Sequence, residues 1–256
     1  MIDYEKFKEL VHKKTGINLS CYKERQMKRR IDSLIKRNNF HNYEDYFAAI
    51  DKDKELFNEF INYLTINVSE FYRNPNQWEI LQKEIFPQLL KKSNHIKVWS
   101  AACSTGEEPY SLVMVLSSLM PLNAIKILAT DIDKEAISKA QIGIYSAKSL
   151  EGVPKDIVSK YFTKVGESYR VNDEIKRCVE FKHHNLLNDK YPDKCDLIVC
   201  RNVMIYFTEE TKEMMYKKFH ESLNADGILF VGSTEQIILP ARYNLSAVKT
   251  FFYKKV

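Results

Sequence analysis

Two adjacent carboxylates, Glu107 and Glu108, follow a run of small residues, Ser100-Ala101-Ala102-Cys103-Ser104-Thr105-Gly106. The apolar pair Val98-Trp99 leads into the run, and Pro109 behind it suits the first turn of a helix. Strand, small-residue loop and helix in that order form the unit with which open α/β sheets bind nucleotides. Small side chains let a ligand approach the backbone, and a helix N-terminus offers free N–H groups. A pyrophosphate placed there would meet the two glutamates. Like unit charges about 4 Å apart repel by about 4 kcal/mol at an effective dielectric near 20. The loop therefore disfavours NAD, FAD and ATP. It suits a nucleoside with positive charge and no phosphate, a description that S-adenosylmethionine meets. Gly106 is the loop's one glycine, where a dinucleotide loop has three, so the loop alone also reads as an ordinary strand–turn–helix.

The next apolar run, Ile125–Thr130, ends in Asp131-Ile132-Asp133. An acid at the tip of a second strand can accept hydrogen bonds from ribose hydroxyls. Asp131 is assigned that place, and Asp133 the N-cap of a helix over Lys134–Gln141. Further along, Asp196–Cys200 runs into Arg201-Asn202-Val203-Met204-Ile205-Tyr206-Phe207, and an earlier strand ends in His184-Asn185-Leu186-Leu187. Ligands sit at such carboxyl ends. Asn202 could orient a substrate, Tyr206 could donate a hydrogen bond, and Asn185 with Leu186 could hold a purine. The two asparagines read equally as turn residues, and Tyr206 as a partly buried aromatic. Asn/Asp-Pro-Pro-aromatic, frequent in amino-group methyltransferases, is absent at 202–206, which counts against amino-group methylation.

These positions need a sheet. Strand candidates fall at 96–101, 125–130, 178–184, 196–200, 227–232 and 249–254, alternating with helical patterns from Asn74-Pro75 onward. That predicts a mostly parallel sheet with helices on both faces and an antiparallel last strand. Asn74 reads as an N-cap and Pro75 as N1 of a helix closed by Lys91-Lys92-Ser93-Asn94. Residues 160–171 break the alternation, reading as two short strands around Gly166-Glu167, with 175–182 extending the excursion. A β insertion is thus expected at about 158–182.

Residues 1–64 read as helical, with no proline and only Gly16 to end a first helix. Met27, Ile31, Leu34 and Ile35 make one apolar stripe, and Arg25, Arg29 and Lys36 lie opposite it. Lys23–Arg37 holds seven basic residues against two acids, whereas Asn38–Tyr72 holds two against seven. The basic ridge is local, and a solvated face is its plain alternative. Thr65–Tyr72 is a polar, β-prone connector. The expected division is 1–72, helical, and 73–256, the α/β domain.

The formal charge of +5 is too mild to indicate nucleic acid. Five irregularly spaced cysteines suggest reduced thiols and no zinc, and no metal is expected. Cys103 reads as a small neutral filler. No apolar run approaches the ~18 residues of a membrane span, and the N-terminus lacks a signal-peptide core. A cytoplasmic protein is expected.

Taken together, Thr65–Arg73, Trp99–Ser111, Ala129–Asp133, His184–Leu187 and Cys200–Phe207 resemble the CheR family of chemotaxis receptor methyltransferases. The resemblance spans nearly the whole chain. It implies a class I methyltransferase, Rossmann-like, with a helical N-terminal domain and a small antiparallel β insertion. The implied reaction moves a methyl group from S-adenosylmethionine to glutamates of chemoreceptor helices, leaving S-adenosylhomocysteine. By motif match, Asn67, Ser69, Arg73, Glu108, Asp131, Asn185, Leu186, Arg201 and Asn202 would contact the cofactor, with Glu107 an open alternative to Glu108. Arg73 and Tyr206 would lie beside the transferred methyl. Arg25, Arg29 and Lys36 gain a glutamate-rich docking partner. Some family members grip a receptor's C-terminal peptide by strand addition at a longer, Gly-Gly hairpin. The short hairpin here, with Gly166 alone, predicts docking without that tether. The competing readings are a nucleic-acid methyltransferase and a non-catalytic S-adenosylmethionine sensor.

Overall fold

The computed structural model describes residues 2–93 and 95–256. Asn94, expected to help close a helix, lies outside them. Four helices open the chain: α1 (Tyr4–Thr15), α2 (Glu24–Arg37), α3 (Tyr43–Lys52) and α4 (Lys54–Thr65). Asp3 caps α1 by accepting from Lys6 N at 2.8 Å, and Gly16 ends it in the left-handed region, φ 73°. Met27, Ile31, Leu34 and Ile35 of α2 are buried with Phe7, Val11, Tyr46 and Phe60 in a core of their own.

Beyond a connector come α5 (Pro75–Ile80) and α6 (Phe86–Leu90), joined by a π-helical turn over Leu81–Ile85. The sequence reads this stretch as one helix. Pro87 has no N–H and its ring crowds the carbonyl four residues back, and the wider turn absorbs the misfit. Then follow β1 (Val98–Ser100), α7 (Glu107–Leu116), β2 (Ile127–Asp131), α8 (Lys134–Ile142), β3 (Ile144–Ser146), α9 (Lys155–Tyr161), β4 (Phe162–Val165), β5 (Ser168–Val171), α10 (Asp173–Lys176), β6 (Val179–His183), β7 (Cys195–Cys200), α11 (Glu209–Ser222), β8 (Leu223–Val231), β9 (Leu245–Lys249) and β10 (Phe252–Lys255).

The main sheet has the order β6-β2-β1-β7-β8-β10-β9. Its first five strands are parallel, and β10 pairs antiparallel with β8, as expected of the last strand. Neighbouring residues point to opposite faces. Val98, Leu197, Val199, Ile228, Phe230 and Phe252 enter one core beneath α7. Trp99, Ile198, Cys200, Leu229, Val231 and Tyr253 enter the other, with Met215 and Phe219 of α11. With both faces covered, successive residues of the central strands are buried alike.

The small sheet, β3-β5-β4, differs from the expected insertion. The hairpin around Gly166-Glu167 forms, but residues 175–182 do not extend it. Residues 173–176 are helical, and β6 pairs parallel with β2 from Val179↔Ile127 to His183↔Asp131. The third strand is β3, whose Tyr145 buries its ring and donates to the Thr105 carbonyl at 2.6 Å. Strand β9 was missed as well, since its alternation of buried and exposed residues covers only Leu245–Lys249.

Candidate active-site cleft

A cleft of about 950 Å³, its open mouth included, lies at the carboxyl ends of the central strands. There β1 stands between β2 and β7, so successive crossovers leave in opposite directions and open a crevice. All nine residues expected at a cofactor line it: Asn67, Ser69, Arg73, Glu108, Asp131, Asn185, Leu186, Arg201 and Asn202, together with Tyr206.

The connector forms no strand, despite its β-prone residues. Ile66, Tyr72 and Asn74 adopt positive φ of 50°, 51° and 60°. A β-branched residue there is strained and must be held by its surroundings. The hold comes from α8. Asp133 caps that helix through Oδ1, as expected, and its Oδ2 accepts from Asn67 Nδ2 at 2.6 Å and Thr65 Oγ1 at 3.0 Å. Asn74 stands before Pro75 but caps nothing with its side chain, because its Oδ1 accepts from Arg201 Nη2 at 3.1 Å.

Asp131 is 8% exposed, and both its oxygens are engaged, Oδ2 by Ser104 N at 2.7 Å and Oδ1 by Asp133 N at 2.9 Å. Burial pushes its pKa up to about 6 despite these amides. Glu108 Oε1 accepts from Ser100 Oγ at 2.8 Å, and Oε2 faces Arg201 Nη1 at 3.5 Å. Burial also raises Glu108, with Arg201 opposing the shift. Glu107, the open alternative, is spent on Thr105 Oγ1 at 2.7 Å and on Ser69. Glu108, not Glu107, lines the cleft. Gly106 makes the loop's approach possible: a Cβ there would stand 2.8 Å from Ala140 Cβ and 2.9 Å from the Tyr145 hydroxyl.

Arg201 is buried to 6% exposure and reaches across the cleft floor. Its Nη2 donates to the Arg73 carbonyl at 2.8 Å and Gln77 Oε1 at 2.9 Å, and its plane lies over Phe230 and Trp78. The Arg73 side chain is half-buried at the rim, with Nη1 3.3 Å from the Val68 carbonyl. Asn185, the expected purine reader, lines the cleft and also bonds to the helical bundle. Its Nδ2 donates to the Gly16 carbonyl at 3.2 Å and its Oδ1 accepts from Leu187 N at 2.9 Å. The side chain thus ties the helical bundle to the sheet at the edge of the cleft, which Asn185 and Leu186 both line.

Sequence reasoning missed three residues. Tyr22 reaches the cleft from the helical bundle, its ring 4.8 Å from that of Phe207, which also lines it. Lys23 N donates to the Tyr206 carbonyl at 2.8 Å and Thr208 N to the Cys21 carbonyl at 2.9 Å, a bridge of two extended segments. Glu235, buried behind Asn202, accepts from its N–H at 2.6 Å. Phe207 closes the Cys200–Phe207 run, and the aromatic Tyr22 just before α2 was the available signal for its partner, whereas Glu235 carried none. Cys103 is buried with its thiol pKa pushed well up, which suits an inert filler.

The cleft collects the buried carboxylates of Glu108 and Asp131, with Glu107 behind its wall, each raised by desolvation. Such a pocket is relieved by a cationic ligand and opposed by a phosphate. These acceptors fit the sulfonium and ammonium of S-adenosylmethionine and the hydroxyls of its ribose. Fold and cleft together define a Rossmann-like, S-adenosylmethionine-dependent methyltransferase.

The chain belongs to the CheR methyltransferase family. Residues 67–252 match the family's SAM binding domain, and residues 2–65 its all-alpha domain. It is 43% identical to a chemotaxis protein methyltransferase of Listeria monocytogenes over 254 residues, covering 99% of this chain and 97% of the relative. Its identity to the like-named protein of Borreliella burgdorferi is 35%, over 96% of this chain and 92% of that one. For Escherichia coli the figures are 30%, 98% and 91%. The enzyme methylates for chemotaxis and uses S-adenosylmethionine. No helix among the described residues is long and apolar enough to cross a membrane.

Proposed function

We propose that the methyl acceptors are glutamate side chains on chemoreceptor helices and that the products are glutamate methyl esters and S-adenosylhomocysteine. The observation that carries this reading is the join between the basic ridge and the cleft. Arg25, Arg29 and Lys36 border one surface groove on α2, and α2 begins directly after the Tyr22–Phe207 bridge at the cleft wall. A glutamate-rich helix lying on the ridge would bring its carboxylates to the mouth of the cleft.

The cofactor supplies an electrophilic methyl on a sulfonium when bound. A glutamate is already ionised at neutral pH, with an ordinary pKa of about 4.3, and needs no general base. The protein's task is alignment. Arg73, half-buried at the rim, is assigned to hold the acceptor carboxylate by charge-assisted hydrogen bonds, and Tyr206 to shape the attack side. Asp131 takes the ribose hydroxyls. Asn67, Ser69, Glu108, Asn185, Leu186, Arg201 and Asn202 complete the cofactor's surroundings. The turn of the β4–β5 hairpin is two residues long, and its strands are four residues each. That short hairpin supports direct docking on the methylation helices, without a C-terminal tether.

The test is methyl-labelled cofactor with a chemoreceptor fragment, followed by mild base. Carboxyl methyl esters release volatile methanol. A base-stable product would point to amino groups or nucleic acid, and tight cofactor binding without turnover would point to a sensor. Either would overturn the proposal.

A further inference from the structure

Glu235 lies four residues past the end of β8 and is 6% exposed, far from the surface on which glutamates are ordinarily solvated. Its partners are backbone amides. Oε2 accepts from Asn202 N at 2.6 Å and Gly232 N at 2.8 Å, and Oε1 accepts from Ile205 N at 3.2 Å. A buried carboxylate is costly unless such bonds replace its water. The amides gain equally, because Asn202 takes the left-handed region, φ 59°, and turns the chain so that its N–H faces inward. Without Glu235 those N–H groups would be buried without a partner.

The packing leaves no slack. A Cβ on Gly232 would fall 2.8 Å from Asn202 N and closer still to Glu235 Oε2. The end of β8 and the loop after β7 therefore meet backbone to backbone, with one carboxylate as the shared acceptor. That loop carries Asn202 and Tyr206, both on the cleft. Glu235 itself is not among the groups that line the cleft.

We propose that Glu235 is a positioning residue for methyl transfer, fixing Asn202 against the cofactor and Tyr206 beside the reacting methyl by locking the backbone between them. The inference rests on the placement of those two residues in the proposed function. It extends that reading to a residue with no contact to either substrate.

Two variants test it. Glu235→Gln keeps the shape but places an NH2 against one of the amide donors. Gly232→Ala keeps the carboxylate but pushes it off them. Each should retain a cooperative thermal transition and a native circular dichroism spectrum. Each should lower kcat five- to twentyfold and weaken S-adenosylmethionine binding at least threefold by calorimetry, while KM for the receptor fragment, set at the α2 ridge, stays within twofold. Calorimetry needs no methyl acceptor, so it judges Glu235 even if the acceptor proves not to be glutamate. Parental kcat and cofactor affinity in both variants would overturn the assignment. So would losses that only follow the unfolded fraction, since Glu235 would then serve stability alone.

Discussion

The carboxylate of Glu108 and the guanidinium of Arg201 meet at 3.5 Å on the cleft floor, with side chains 11% and 2% exposed. Burial drives the glutamate pKa up and the arginine pKa down, and each partner's charge opposes the other's shift. Removing one member of such a pair strands the other, at a cost of about 3–5 kcal/mol. Arg201→Ala should lose stability on that scale, because the Arg73 carbonyl, Asn74 and Gln77 also lose their donor. Urea unfolding of the ligand-free protein measures it, and a loss below about 1 kcal/mol would show that the pair contributes little.

Asp131 should give cofactor binding a pH dependence. Its folded pKa of about 6 lies above the ordinary carboxylate value, so the folded protein holds a proton that the unfolded chain has lost between about pH 4 and 6. Stability from this group therefore falls as pH rises through that window. Ribose binding has the opposite sense, because it uses the ionised form. S-adenosylmethionine should bind about tenfold more weakly at pH 5 than at pH 7. Asp131→Ala should bind weaker by roughly 1–3 kcal/mol at pH 7 and lose this dependence. Calorimetry at both pH values decides, and an unchanged Kd in the variant would move the ribose contact elsewhere.

Arg25→Glu combined with Arg29→Glu should slow receptor methylation and leave cofactor affinity intact. Both residues border the surface groove on α2, away from the cleft lining. Charge complementarity acts on encounter and docking, so the defect should be largest at low salt and shrink as salt screens the parent's advantage. Parental rates at low and moderate salt would reduce the ridge to a solvated face.

Removing the last few residues of a cognate receptor should leave methylation within a factor of a few. Strand addition needs an edge that a peptide backbone can follow, and here each strand of the hairpin offers four residues. A tenfold or greater drop, about 1.4 kcal/mol, would show that the tether matters.

Local chemistry made much of this legible in the residues. The alternation of strand candidates with helical patterns announced a sheet covered on both faces, and Asp131 at a strand tip lines the cleft. Asp133 had the type and spacing of an N-cap and is one. The apolar stripe of α2 placed its basic face outward. What failed lay at short or competing signals. Residues 175–182 share the β-prone character of the hairpin before them, but parallel pairing with β2 claims 179–183. Asn74 has the type of a cap, yet a buried arginine takes its oxygen.

The sequence by itself determined the strand–loop–helix order, the paired glutamates after the small-residue loop and the set of side chains that gather at the cleft, because each depends on residue type and near spacing. Tertiary structure decided which of those side chains stay free to act. Asn185 is drawn off to Gly16, Glu107 to Thr105 and Ser69, and Asn202 is locked by Glu235, thirty-three residues away in sequence. The pairings of Asn185 with Gly16 and of Asn202 with Glu235 join segments far apart in the chain and arise only when those segments pack together. A buried polar group must find its partner in space, and no local pattern records where that partner comes from.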